Sequence, residues 1–133
     1  MKTKLLAGVA LLCAVGSAHA FEASQAYDDA VYKREVSYQC QGNERVKVTY
    51  GFNREQLPTY ASAYLNGKDR FMPYNLNRSD TVDAVFGDED NFSIMSEDFR
   101  LATYHRRAVN IQSASGEILH KNCRFTGVKK IAG

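Results

Sequence analysis

The residues of this chain that could carry out chemistry are few and scattered. Ser96, Asp98 and His105 are the residue types of a serine-nucleophile triad, but no nucleophile-elbow motif accompanies the serine. The acidic run 88–90 offers carboxylates to a calcium ion, yet it lacks the full loop of oxygen ligands that calcium requires. We therefore interpret these side chains as solvated residues and predict no enzyme, no metal site and no cofactor.

The cysteines are more informative than the triad. Residues 1–20 carry two lysines, then an apolar run, and end in a small-x-small cleavage pattern, which predicts an export signal that is removed. Cys13 leaves with that signal, and a lipid-attachment role for it is not favoured because Leu12 precedes it, where a small residue is expected. Export delivers the chain to an oxidising compartment, so the remaining two cysteines, Cys40 and Cys123, are predicted to form a disulfide.

Composition limits the class of protein. Residues 21–133 are about the modal size of one domain, with no second apolar stretch long enough to span a membrane. Lys2 and Lys4 account for the formal net charge of +2, so the rest of the chain is balanced. A nucleic-acid partner is therefore not expected, since such proteins carry a marked basic excess.

The charges are segregated along the sequence. Every charge from Asp80 to Asp98 is negative, and from Arg100 onward every formal charge except that of Glu117 is positive. One interpretation is that neighbouring strands pair opposite charges. The other is an acidic face that steers a basic partner.

Short runs of alternating residues dominate the chain and predict an all-β protein. The candidate strands are 36–40, 46–52, 60–65, 71–76, 81–86, 91–95, 99–104, 108–112 and 117–125. Asn66-Gly67 is a two-residue hairpin signal, because both residues accept positive φ. We predict an irregular leader over 21–35, a domain of about eight antiparallel strands over 36–126, and a basic C-terminal tail over 127–133. Such a domain is a small barrel or a sandwich.

The phase of the strands places the cysteines. Cys40 alternates in step with Val36 and Tyr38, and Cys123 in step with Leu119 and Phe125. Both sulfurs are therefore predicted to face the core, so that the bridge ties the first core strand to the last. Closing so long a loop stabilises a chain by about 4–5 kcal/mol in the chain-entropy model.

Several strings along the domain resemble a known family. They are found at 36–40, 46–53, 59–63, 66–68, 72–76, 79–80, 118–121 and Cys123. On these residues the chain resembles the adhesin complex protein family, within the wider group of periplasmic and membrane-bound inhibitors of c-type lysozyme. The resemblance implies an eight-stranded antiparallel barrel, closed here by the Cys40–Cys123 bridge, that binds host c-type lysozyme and blocks its cleft.

The resemblance also implies a set of contact residues. In the inhibitor group a central Ser-Ala-Ser-Gly motif and a later basic residue enter the lysozyme cleft. The central serine position falls on Ser79, next to Asp80, and the basic position falls on Arg106 or Arg107, just after Tyr104. The literal Ser-Ala-Ser-Gly string at 113–116 lies before the last strand, and we interpret it as a hairpin tip.

Other functions stay open at this stage. The family name suggests a surface adhesin that contacts host cells, on the same barrel. A carrier of a small apolar ligand is a third candidate, which inward-facing Tyr50, Phe52, Tyr64 and Phe86 would exclude by filling the interior. The expected location is the periplasm or outer-membrane surface of a Gram-negative bacterium, and the sequence does not indicate an oligomeric state.

Overall fold

The computed structural model describes residues 22–133, so the predicted signal at 1–20 lies outside the described residues. A short helix, α1, covers residues 22–28. The strands that follow are β1 (Tyr32–Gln39), β2 (Arg45–Phe52), β3 (Pro58–Leu65), β4 (Lys68–Pro73), β5 (Asp83–Gly87), β6 (Ser93–Glu97), β7 (Val109–Gln112) and β8 (Ile118–Ala132). One 3₁₀ turn, η1 (Tyr104–Arg106), lies between β6 and β7. None of the helices in the described part is long and apolar enough to cross a bilayer.

The eight strands form one antiparallel, nearly closed barrel in the order β4-β3-β2-β1-β8-β7-β6-β5. The first and last strands of this order, β4 and β5, form no continuous ladder; the isolated bridge between Tyr74, just after β4, and Phe86 joins them, and Asn75 adds hydrogen bonds to Val85 and Gly87. The β3–β4 turn has Asn66 at φ 49° and Gly67 at φ 82°, as predicted for a two-residue hairpin of this sequence. The predicted all-β barrel is therefore confirmed.

Alternation along the strands fills the barrel with large side chains. Val48, Tyr50 and Phe52 of β2 are each fully buried. Phe86 and Phe99 complete an aromatic cluster around Tyr50, with ring centroids 5.4 and 4.6 Å from the Tyr50 ring. An interior filled in this way disfavours the carrier hypothesis. Tyr64, however, was expected to face inward and is 67% exposed on the outer face.

The disulfide joins the two cysteines predicted from the sequence. Cys40 follows β1 and Cys123 lies in β8, where it pairs with Val109. Cys40 is 5% exposed and Cys123 is fully buried, so both face the core as their phase predicted. The bridge links positions 83 residues apart.

Three segments differ from the sequence predictions. The leader expected to be irregular over 21–35 contains α1, in which the half-buried residues Ala23 and Ala26 lie about one helical turn apart. β1 already begins at Tyr32. The tail expected over 127–133 is instead the end of β8, which pairs with β1 as far as Ala132.

The third difference is the segment 99–104, which was expected to be a strand. Its residues instead form turns that lead into η1. The Thr103 hydroxyl accepts a hydrogen bond from the Arg100 N–H at 2.9 Å and donates to the Asp98 carbonyl at 2.6 Å. These local bonds offer the backbone an alternative to a sheet ladder.

A buried pair of tyrosines gives the first testable prediction. The Tyr38 and Tyr50 hydroxyls are hydrogen-bonded to each other at 2.8 Å inside the barrel. Tyr50→Phe leaves the Tyr38 hydroxyl without this partner, so we expect a loss of about 1–3 kcal/mol in unfolding free energy. The double variant Tyr38→Phe/Tyr50→Phe should be more stable than the sum of the two single losses predicts. Urea denaturation of the four proteins measures this coupling, and additive losses would contradict it.

The same pair sets an alkaline limit to stability. Burial raises the pKa of Tyr38 and of Tyr50 above the ordinary tyrosine value of 10.0. Above about pH 10 the unfolded chain therefore releases protons that the folded chain retains, and the free energy of unfolding falls as pH rises. In the double phenylalanine variant this decline should be shallower, as measured by denaturation between pH 8 and 11.

Candidate functional site

Three connections meet at one end of the barrel, here called the loop end. They are residues 53–57 between β2 and β3, 74–82 between β4 and β5, and 98–108 between β6 and β7. The Leu101 N–H donates to the Gln56 carbonyl at 3.0 Å, and the Asp98 N–H donates to the Val82 carbonyl at 2.8 Å. The loop end is therefore a single hydrogen-bonded surface. All five residues that the resemblance implied as lysozyme contacts lie in two of these connections.

The connection 98–108 is anchored in the core by Tyr104. This side chain is 7% exposed. Its ring packs 5.7 Å from that of Phe52 and 6.1 Å from that of Phe125. Tyr104, expected to contact a partner, is therefore placed as an anchor that fixes the position of η1.

Arg106 and Arg107, the two arginines that the resemblance implied, have different surroundings. Arg107 donates from Nη2 to the Asp98 carboxylate at 3.1 Å and from Nε to the Asp98 carbonyl at 3.2 Å. Arg100 also binds the Asp98 carboxylate, at 2.8 Å. Hydrogen bonding from Arg100, and then from Arg107, holds the pKa of Asp98 below its usual range. Arg106 is exposed and makes no ion pair or side-chain hydrogen bond within residues 22–133. Of the two arginines, only Arg106 has its guanidinium available for a partner.

Ser79 and Asp80 line the open edge of β5. The Ser79 hydroxyl accepts the Val85 N–H at 2.9 Å and donates to the Val85 carbonyl at 3.3 Å. The Asp80 carboxylate accepts the N–H groups of Val82 and Asp83 at 2.8 and 2.7 Å. The Asp83 N–H, and then that of Val82, lowers the pKa of Asp80. Both side chains thus make hydrogen bonds to backbone groups that a neighbouring strand would otherwise bind.

Asn75 extends this edge and was not singled out from the sequence. Its Nδ2 donates to the Gly87 carbonyl at 2.8 Å. Its Oδ1 accepts the N–H groups of Asn77 and Arg78 at 3.1 and 3.2 Å. Asparagine two or three residues before a polar turn is a signal for such local bonds, and this signal could have identified the residue.

The geometry at Ser79 gives the third testable prediction. Ser79→Ala removes both bonds to Val85, and although the Val85 carbonyl keeps the Asn75 N–H at 2.8 Å, the Val85 N–H loses the hydroxyl that accepts it. We expect the unfolding free energy to fall by about 1–2 kcal/mol. Hydrogen exchange at the Val85 amide should be faster in this variant. Ser113→Ala, in an exposed turn, is the matched control and should change neither quantity.

The string at 113–116 is a hairpin tip, as predicted. It joins β7 to β8, with Gly116 at φ 84° and its N–H bonded to the Ser113 carbonyl at 3.0 Å. The tip shares a shallow groove with Arg78, Asp88 and Glu89. The structure therefore brings this string close to the residue that precedes Ser79.

The segregated charges are separated in space as well as in sequence. The exposed acids lie on β5, on β6 and in the turns beside them, whereas the exposed bases Lys121, Arg124, Lys129 and Lys130 lie on β8. β7 separates the two groups. The acidic and basic stretches meet in the ion pairs of Asp98 with Arg100 and Arg107, but within residues 22–133 no ion pair joins the exposed acids of β5 and β6 to the bases of β8. Within the described residues, opposite charges of the two stretches therefore do not pair across adjacent strands. The other interpretation, an acidic face, remains.

Comparisons with known proteins agree on one family. The model of the ACP-like domain family matches residues 34–125. Among solved structures, the adhesin complex protein from Neisseria meningitidis is 40% identical, with a TM-score of 0.65, covering 69% of this chain and 98% of that chain. The search of curated proteins returned no match.

Proposed function

This chain belongs to the ACP-like domain family, and from that premise we propose that it is an exported, non-catalytic module that binds host c-type lysozyme and inhibits it. The contact surface is the loop end of the barrel. Arg106 is the residue that enters the lysozyme cleft. The location is the periplasm or the outer-membrane surface.

The observation that carries this proposal is the presentation of Arg106. It follows the buried Tyr104 by two residues, in a connection fixed by Thr103 and by the pairing of Arg107 with Asp98. The guanidinium is exposed while the backbone beneath it is held by these contacts. A side chain presented on an ordered backbone loses less conformational entropy on binding than one on a loose loop.

The chemistry of the target suits an arginine. Retaining glycosidases depend on two carboxyl groups close together in a cleft, one protonated and the other ionised. A guanidinium can bind a carboxylate through two parallel hydrogen bonds. Arg106 bound to the ionised carboxylate would block substrate and disturb the balance of charge on which the reaction depends.

The acidic face supports the same partner. Asp83, Asp88, Glu89, Asp90 and Glu97 are exposed and carry no ion pair within the described residues. C-type lysozymes are strongly basic, so this face would speed their encounter with the loop end. Association should therefore slow as ionic strength rises.

A direct assay tests the proposal. Clearance of a cell-wall suspension by a c-type lysozyme is followed by turbidity, with and without purified, oxidised chain 21–133. Dose-dependent protection of the suspension is the expected result. Clearance that is unchanged at a large molar excess, with the disulfide confirmed intact, would overturn the inhibitor function.

The adhesin role is a second candidate, favoured by the outer face of β3 and β4. The structural neighbour is called an adhesin, and this face carries Tyr64 at 67% and Phe71 at 38% exposure. Exposed aromatic side chains are enriched at protein interfaces.

For this role we expect Tyr64→Ala/Phe71→Ala to weaken binding to host epithelial cells by about tenfold, because aromatic side chains are frequent binding hot spots. Flow cytometry with labelled protein measures the binding. Val128→Ala on β8, where the side chain is 45% exposed, is the control. Equal binding by all three proteins would count against this surface.

A further inference from the structure

A groove of about 580 Å³ opens at the loop end, beside α1. Ala26 and Asp29 form one wall, and residues of the connections 53–57, 74–82 and 98–108 form the others. The match to the family model begins at residue 34. One wall of the groove is thus built by residues of this chain outside the matched domain.

The segment 22–31 is packed firmly enough to make a wall. The Tyr27 ring lies 5.6 Å from that of Tyr60, and the Lys33 ammonium lies 3.7 Å from the Tyr27 centroid. The Val31 N–H donates to the Phe52 carbonyl at 2.9 Å. A Cβ on Gly51 would come within 2.7 Å of the Ala30 side chain, which shows how closely this segment approaches β2.

The floor and sides of the groove are mainly apolar, although water reaches them. Leu76 is 80% exposed and Leu57 is 44% exposed, and both line the groove with Phe99. Exposed apolar side chains grouped in this way are typical of a binding surface.

The charged groups around the groove determine which kind of chemical group it can bind. Asp98 is already paired with Arg100 and Arg107. Asp80 accepts only backbone N–H groups, and Asp29 accepts only the Gln25 amide, at 2.7 Å. Two carboxylates therefore remain that no cationic side chain of residues 22–133 neutralises. An apolar side chain with an adjacent positive charge complements this combination of an apolar lining and two unneutralised carboxylates.

We propose that this groove is a second docking site, which takes an apolar side chain together with an adjacent lysine or arginine from the surface of a basic protein partner. The inference rests on the proposed function in one respect: the basic partner is taken to be the lysozyme that Arg106 contacts. Leu57 and Leu76 contact the apolar side chain. Asp29 and Asp80 bind the cation.

A small probe tests the groove without lysozyme. N-acetyl-leucyl-arginine amide is titrated into ¹⁵N-labelled chain 21–133, and the amide shifts are followed by NMR. We expect shifts confined to residues around the groove, and no saturable shifts with N-acetyl-leucyl-glutamate amide. The variant Asp29→Asn/Leu76→Ser should bind the arginine probe about tenfold more weakly, since it removes one charge and one apolar contact. Asp90→Asn/Ile118→Ser, altered at exposed positions outside the groove lining, should bind it as the parent does.

The outcomes separate this inference from the inhibitor function. Groove-confined shifts that the Asp29→Asn/Leu76→Ser variant loses support the docking site, even if lysozyme is not inhibited. Absent shifts, or shifts that this variant retains, overturn it, even if lysozyme is inhibited. If both functions hold, the same variant should inhibit lysozyme about tenfold more weakly than the parent chain does.

Discussion

Arg106→Ala should weaken lysozyme inhibition by about 30-fold or more, the effect of losing a binding hot spot of about 2 kcal/mol. The physical reason concerns the ionised carboxylate of lysozyme, which loses water when the cleft is covered. Without Arg106, no guanidinium compensates for this desolvation. Arg106 is exposed and makes no ion pair within the described residues, so its removal should leave the free energy of unfolding unchanged. The inhibition constant from the turbidity assay and a parallel urea titration measure both quantities.

Two matched variants make this prediction specific. Arg124→Ala removes an equally exposed arginine from β8 and should inhibit as the parent chain does. Arg106→Lys keeps the charge but not the planar fork, so we expect an intermediate loss of about tenfold. Equal inhibition constants for Arg106→Ala and Arg124→Ala would show that Arg106 is not the residue in the cleft.

Arg107 illustrates what the sequence could not resolve at the site. Arg106 and Arg107 are adjacent and identical in type, and only the fold shows that Asp98 binds the second of them. Asp98 also adopts φ 35° just after β6, a backbone conformation that a one-dimensional pattern does not reveal. The burial of Tyr104 was hidden for a related reason, since its ring packs against Phe52, which lies far away in sequence.

The strands could be predicted from the sequence where the alternation of apolar and polar residues determines the secondary structure, but not elsewhere. β2 alternates strictly, so the strand was predicted over 46–52, and its Val48, Tyr50 and Phe52 are fully buried. The Asn66-Gly67 turn was equally clear, because few other pairs accept two positive φ values. By contrast, 99–104 also alternates, but the hydrogen bonds of Thr103 compete with strand pairing there. α1 was missed because its apolar positions are alanines, which contribute little to a hydrophobic pattern.

The role of Ser79 shows how a motif position can serve the fold. The resemblance placed the central serine there, and the structure commits its hydroxyl to Val85. The barrel needs such a group because β4 and β5 form no continuous ladder, and only the bridge between Tyr74 and Phe86 and the hydrogen bonds of Asn75 join them otherwise. Side chains that cover an open edge also protect it from pairing with other chains. Ser79 can therefore support inhibition by holding the connection 74–82 in place.

Removing the disulfide should have the largest effect on stability. For Cys40→Ala/Cys123→Ala we expect the unfolding free energy to fall by about 4–5 kcal/mol, because the bridge closes a loop of 83 residues. Domains of this kind have a total of about 5–15 kcal/mol, so about a quarter or more of the stability would be lost. Both sulfurs are also buried, and alanine fills the space less well, which adds to the loss.

Chemical denaturation distinguishes the cause of this loss. If the bridge acts on the unfolded chain, the double variant should show a larger denaturant m value, since its unfolded state exposes more surface. Reduction of the parent chain should reproduce the variant's transition, whereas the reductant should not affect the variant itself. A loss below about 1 kcal/mol with an unchanged m value would mean that the pairing of β8 with β1 and β7 already holds the two ends of the barrel together.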